Sequence, residues 1–247
     1  CVGIESGGAT GWAATDWMEE YVLRYGGEAQ YTAWWKGKLP WSSPTVQKAA
    51  KKFADVALTP GNVNGGGKAI AATGFGATAN LFATDKNKCF MMRQGSFITD
   101  FFPDAVKAEY KANNFTRVGV FKLPAPAGTT DAVLGGGDLA AAFDANPATQ
   151  KVLNFILSDK LGTGAMLATY PSYLSAHKTF PSAGYKNPIT KNIAGILSTA
   201  KLFGFDGSDL APAVVNATEW TELTNWIAGK KTQKQAFDAI DASWKKA

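Results

Sequence analysis

The stretch from Val118 to Phe143, VGVFKLPAPAGTTDAVLGGGDLAAAF, constrains the fold more than any other part of this 247-residue chain. It opens as a short apolar strand, Val118 to Phe121. Leu123-Pro124-Ala125-Pro126 must end that strand, because proline has no N–H to give to a sheet ladder. A turn at Gly128-Thr129-Thr130-Asp131 leads to a second apolar run, Ala132-Val133-Leu134. That run breaks into Gly135-Gly136-Gly137-Asp138. Three glycines let a backbone come close to something bulky, and the carboxylate beside them accepts hydrogen bonds. The same residues equally describe a bulged strand in a sandwich.

Elsewhere short strands alternate with capped helices. Glu5 to Trp12, ESGGATGW, is a glycine-rich loop that delivers a tryptophan. Asp16, with Glu19 three residues on, reads as the start of a helix whose apolar face is Trp17, Tyr21, Val22 and Tyr25, ended by Gly26-Gly27. Ser43-Pro44 starts a second helix carrying Val46, Ala49, Phe53 and Val56. Asn62 to Gly76 is glycine-rich loop, and a strand follows at Cys89 to Gln94. Asn146-Pro147 and Asn187-Pro188 open two more helices, the latter running from Ile189 to Phe203. The last two are Thr218 to Ala228, stopped by Gly229, and Thr232 to Trp244, where Thr232 and Gln235 form a capping box. This mixture argues for an α/β fold with largely parallel pairing.

The chain is 46% apolar and 18% charged, enough core for one large domain or two lobes. Net charge is +5, yet only Arg24, Arg93 and Arg117 are arginines against twenty-two lysines. Nucleic-acid recognition favours arginine forks in a concentrated stripe, and these lysines are scattered, so no nucleic-acid partner is expected. No apolar run is long enough to span a bilayer, and a mature secreted protein would look the same.

Cys1 and Cys89 each begin a strand-like segment, Cys1 to Glu5 and Cys89 to Arg93, and neither sits in a metal-ligand spacing. They read as free thiols, as a bond between neighbouring strands, or, for Cys1, as a lipidated residue, although such a cysteine usually leads into a polar tether. A bond would place the protein outside the cytoplasm.

Catalytic signals are thin. His177 is the only histidine, and nothing near it resembles a nucleophile elbow. Glu5, Asp16, Asp100, Asp138 and Glu219 supply carboxylates that a glycosidase could pair, with Asp16 and Asp138 as the pair of a rival, glycoside-active reading. No phosphate loop, dinucleotide fingerprint or zinc spacing occurs, so neither a cofactor nor a metal is expected. Eight tryptophans stand among carboxylates and amides. Aromatic faces stack on sugar rings while carboxylates and amides take the hydroxyls, although most tryptophans pack in cores.

The order of CVGIESGGATGWAATDWMEEYVLR, KCFMMRQGSFI, VGVFKLPAP, VLGGGDLAAAF, SYLSAHK and SDLAPAVVNATEWTELTNWIAGK resembles the extracellular solute-binding proteins of ABC transporters. Within them it is similar to the family 1 carbohydrate binders of the α-glucoside, maltose and trehalose type. The resemblance covers essentially the whole chain but about the C-terminal two thirds of the family pattern, so a longer natural protein is expected. It implies a type II periplasmic-binding-protein-like α/β fold, two lobes joined by hinge crossovers and closing on a sugar, with the first lobe incomplete in this chain. On that map residues 1–117 and 177–247 form the second lobe and 118–176 a segment of the first.

Carried over residue by residue, Trp12 resembles the family's aromatic platform, with Asp16 following it. Gln94 and Phe97 would sit at the end of a strand, where α/β clefts bind ligands, Phe97 standing where relatives often have tryptophan. Gly136, Gly137 and Asp138 would face the sugar from the first lobe, Tyr173 would sit at the hinge, and Trp220 resembles a stacking residue on the late helix. The resemblance also implies a Cys1–Cys89 disulfide, because the family places those strands side by side. It further implies a sugar ligand, an ABC permease as partner, and a monomer outside the cell or in the periplasm, attached to the surface through a lipid on a missing N-terminal region. Polyamine or phosphate-ester ligands are the same-fold alternatives, and the scarcity of arginine argues against phosphate.

Overall fold

A computed structural model describes residues 1–82, 88–112 and 118–247. In chain order the helices are α1 (Trp12–Trp35), α2 (Pro44–Ala57), α3 (Gly67–Ile70), α4 (Ala77–Phe82), α5 (Asp104–Lys111), α6 (Pro147–Ile156), α7 (Ala165–Thr169), α8 (Pro188–Thr199), α9 (Gly207–Leu210), α10 (Ala213–Ile227) and α11 (Gln233–Ser243). The strands β1 (Val133–Gly135) and β2 (Phe203–Phe205) pair in parallel, with Val133 opposite Phe203 and Gly135 opposite Phe205. An isolated parallel bridge joins Glu5 to Gly74. Among the described residues helix dominates, and the pairing is parallel.

The chain forms two compact units. The first comprises Cys1–Gly95, Leu123–Gly135 and Ala200–Ala247, the second Ser96–Lys122 and Gly136–Thr199. This division by contacts is not the same as the lobes expected with limits at 117 and 176.

The first unit is built round α1. Between Ala13 and Arg24 all but Asp16 are buried, so this part of the helix is enclosed on every side and carries no solvent stripe. Val46, Ala49 and Phe53 of α2, Leu223, Trp226 and Ile227 of α10, and Phe237 and Ile240 of α11 close on it. One aromatic run threads the core: Trp34 meets Trp41 at 5.0 Å, Trp41 meets Phe237 at 4.9 Å, and Phe237, Trp226, Phe53 and Trp17 continue it at 5.6, 5.7 and 6.0 Å. Trp17, Trp34, Trp41 and Trp226 are therefore core residues, and burying such rings is the largest apolar contribution available to a chain of this composition.

Several local expectations are corrected. The first helix starts at Trp12 behind Gly11, whose φ of 116° only glycine adopts easily, so Asp16 lies one turn inside and is not its cap. Gly27 interrupts it at φ 64° where an end was expected, and the helix then resumes to Trp35. Cys1–Glu5, apart from the Glu5 bridge, and Cys89–Arg93 are not strands, nor is Val118–Phe121. A single helical turn, α3, lies within the expected Asn62–Gly76 loop. The helix expected to reach Phe203 stops at Thr199, and Phe203 instead begins β2. Asn146 caps α6 by accepting from the N–H groups of Ala148 and Thr149, and the Thr232–Gln235 capping box is present.

The second unit has a small core of Ile98, Phe102, Val106, Tyr110, Phe180, Tyr185 and Ile189. Asn187 ties α8 to α5: its side-chain N–H donates to the Tyr110 carbonyl at 2.7 Å while its oxygen accepts from Ile189 N. The Tyr110 and Thr190 hydroxyls meet at 2.9 Å. By contrast α6 buries no residue, leaving Val152, Phe155 and Leu157 more than half exposed.

Candidate ligand-binding site

The glycine-rich loop before α1 is closed by its own polar groups. Glu5 accepts from Gly7 N at 2.8 Å, and the Thr10 hydroxyl accepts from Ser6 N and donates to the Gly7 carbonyl. Gly11 N then donates to the Ile4 carbonyl at 3.0 Å. A Cβ on Gly11 would lie 2.2 Å from the Trp220 carbonyl oxygen, so the start of α1 crosses α10 backbone to backbone at Trp220. Trp12, the first residue of α1, is half-buried and meets Phe75 edge to face at 5.1 Å. Trp220 is also half-buried, and its indole N–H is shielded from solvent without a hydrogen-bond partner.

One turn beyond Trp12, the Asp16 carboxylate pairs with Arg93 at 2.5 Å, and the other arm of Arg93 reaches Glu20 at 3.5 Å. Glu20 pairs in turn with Arg24. Residues 16, 20 and 24 lie on one face of α1, and with Arg93 set between the two acids the charges alternate as a ladder, Asp16, Arg93, Glu20, Arg24. Arg24 then donates to the carbonyls of Leu123 and Ala132 at 3.0 and 2.9 Å, strapping residues 123–135 to the helix. Burial pushes the Asp16 carboxyl up to about 6; Arg93 opposes this, and Asp206 and Glu20 add to it. Gln94 turns its amide oxygen back to Gly95 N at 3.1 Å.

Glu19 accepts from Gly207 N, Ser208 N and the Tyr31 hydroxyl at 3.1, 3.0 and 3.3 Å. It thus fixes the start of α9 to α1. Burial holds its carboxyl well above the usual range, and Asp206 and Asp16 reinforce the shift.

The expected site residues divide between the units. Trp12, Asp16, Gln94 and Trp220 lie in the first, and Phe97, Gly136, Gly137, Asp138 and Tyr173 in the second. Phe97 sits in a 3-10 turn, Ser96–Phe101, with 40% of its surface exposed, not at the end of a strand. Gly136, Gly137 and Asp138 are exposed. Tyr173 packs on Gly162, where a Cβ would come within 2.0 Å of its ring, and lies 6.3 Å from Phe180. Cys1 and Cys89 are bonded, with Cα atoms 5.5 Å apart, and Cys1 N donates to the Met91 carbonyl at 2.6 Å. The ladder partners Arg93, Glu20 and Arg24 were not anticipated. Their signal was the spacing Asp16, Glu20, Arg24 in DWMEEYVLR, acid-acid-base at every fourth residue.

Among the described residues no group of three or more His, Cys, Asp or Glu is placed to hold a metal, and no helix is long and apolar enough to cross a membrane.

No family model and no solved structure matches the chain. Two curated proteins do. The osmoprotective compounds-binding protein GgtB of Synechocystis sp. is 31% identical over 246 residues, 99% of this chain and 56% of its own length. The alpha-glucosides-binding periplasmic protein AglE of Rhizobium meliloti is 33% identical over 245 residues, 99% of this chain and 52% of its own. The chain thus spans about half the length of these relatives. Over nearly all of its own length it is homologous to solute-binding proteins.

Proposed function

We propose that this chain is the ligand-binding part of an extracellular or periplasmic sugar-binding component of an ABC importer, taking an α-glucoside or a related oligosaccharide and delivering it to a membrane permease. The observation that carries this reading is identity of about one third across 99% of the chain to two binding proteins, one of them named for α-glucosides. The first unit supports it: Trp12 opens α1, the backbone of Trp220 crosses at Gly11 beside it, both residues are half-buried, and the Asp16 carboxylate lies one turn away, so two indoles and a carboxylate come from one corner. Such a set binds a sugar by stacking on its apolar face and accepting from its edge hydroxyls. In this reading the fold is the two-lobed type II architecture, 118–176 contributing to one lobe and 1–117 with 177–247 to the other. Gln94, Phe97, Gly136, Gly137, Asp138 and Tyr173 are further candidate contacts. The protein works as a monomer, held at the cell surface by a lipid where it is not free in the periplasm, and it binds without catalysis.

Titration calorimetry against maltose, trehalose and sucrose tests the reading. Saturable binding of at least one is expected, with the sugar recovered unchanged after long incubation. Turnover of any of them, or silence across the whole panel, overturns it.

A further inference from the structure

The ladder along α1 is graded in exposure. The Arg24 side chain is 1% exposed and that of Glu20 9%, whereas Arg93 and Asp16 keep 15% and 13%. The open end therefore lies toward the N-terminus of α1, one turn from Trp12. Arg93 alone among the four members comes from outside the helix, on a segment without regular structure. That segment is held by the Cys1–Cys89 bond four residues earlier and by the bond from Cys1 N to the Met91 carbonyl. A guanidinium has five donors in a rigid fork, so bridging Asp16 and Glu20 fixes both carboxylates in direction as well as in charge.

We infer that Arg93 is a positioning residue for ligand recognition: held by the Cys1–Cys89 crosslink, it orients the Asp16 carboxylate so that the oxygen it leaves uncommitted accepts from a ligand hydroxyl beside Trp12. This rests on the sugar-binding reading above. Arg93 need not touch the ligand. Its contribution is to keep a carboxylate ionised and aimed in a place where burial and the neighbouring Asp206 and Glu20 all oppose its charge.

The test is a cycle of Asp16→Asn, Arg93→Gln and the double variant, titrated with a sugar that the parent binds. Each single change is expected to weaken binding about tenfold, and the double variant is expected to bind no worse than Asp16→Asn alone, because coupled residues are not additive. Arg93→Lys is expected to recover part of the loss. Parent affinity should fall as pH drops through about 6. In Arg93→Gln that fall should begin at higher pH, since the opposing cation is gone, and in Asp16→Asn it should vanish. A purely structural role for Arg93 would move none of these pH profiles. Parent-like affinity in Arg93→Gln, or losses that add in the double variant, overturns the inference while leaving sugar binding in place. If Arg93→Gln does not fold, the double variant, which removes both charges of the pair, decides: binding weaker than Asp16→Asn refutes the inference, and equal binding sustains it. A parent that binds no sugar in the panel overturns the inference together with the proposed function.

Discussion

Glu219 on α10 is buried, and its carboxyl is pushed up to about 8 by that burial; a hydrogen bond from Trp41 opposes the shift and Asp206 adds to it. Such a group keeps its proton in the folded protein after the unfolded chain has released it. Its effect is therefore a loss of stability as pH rises from about 4.5 to about 8, and Asp16 acts in the same direction between about 4 and about 6. The thermal midpoint is expected to be higher near pH 6 than near pH 9, and Glu219→Gln is expected to flatten that slope. A midpoint that climbs with pH over this range would contradict the assignment. One residue further on, Trp220 offers a different readout. Trp220→Ala removes an aromatic face from the corner where α1 begins, and truncating an anchor of this kind commonly costs about 2 kcal/mol or more. Calorimetry should show affinity for the cognate sugar weakened by more than about tenfold.

Elements in the first unit are joined by two staples, one covalent and one polar. The Cys1–Cys89 bond spans a sequence separation of 88 residues. On the chain-entropy model its loss costs roughly 4 kcal/mol. Denaturant titration of the Cys1→Ser/Cys89→Ser protein measures that loss, and alkylation should label no thiol before reduction and two after it. Arg24→Met tests the second staple: it leaves Glu20 buried beside a lost partner and frees residues 123–135 from α1, a cost of about 3 to 5 kcal/mol. What was legible in the sequence were the features with local chemistry. Asn146-Pro147, Asn187-Pro188, Ser43-Pro44 and the Thr232–Gln235 box all mark real helix starts, because a cap is decided within a few residues. The disulfide was legible only through resemblance. The strand at Phe203 was hidden because FGF looks like the end of an apolar helix until β1 arrives from far away in sequence. Asp16 was misread as a cap because the true start, Gly11, is set by the tertiary crossing with Trp220. The ladder was missed because its central member, Arg93, comes from 73 residues beyond Glu20.

On the scale of the molecule, apolar burial is uneven. The first unit encloses the Ala13–Arg24 part of α1, while in the second α6 buries nothing and Leu139, Phe143, Val152 and Phe155 stand more than half exposed beside an apolar groove of about 520 Å³. Backbone hydrogen bonds with so little cover open at low cost. Amides of α6 are expected to exchange with solvent far faster than those of Met18 to Leu23. Exposed apolar surface of this extent also favours association, so light scattering on the 247-residue chain by itself should show self-association that rises with concentration, whereas a protein as long as its relatives is the monomer proposed above. Replacing Phe143 and Phe155 with serine should lower it without shifting the melting of the first unit.

The first unit is also completed out of order, since α1 lies near the start of the chain and the rings of Trp226 and Phe237 that close over its core come from the last stretch, Ala200–Ala247. A polypeptide leaving the ribosome has made α1 long before it has made α10. Until then Trp17, Met18 and Val22 have α2 on one side and lack the cover of α10 and α11, and contacts this distant in sequence form slowly even when both partners exist. The growing chain is thus a poor competitor for its own folded state. In the exported protein proposed above, that delay is an asset: the chain remains extensible during synthesis and locks only once α10 and α11 have crossed the membrane. Arrested chains ending before Ala200 should accordingly be cleaved by protease throughout residues 12–35, and chains carrying α10 and α11 should not.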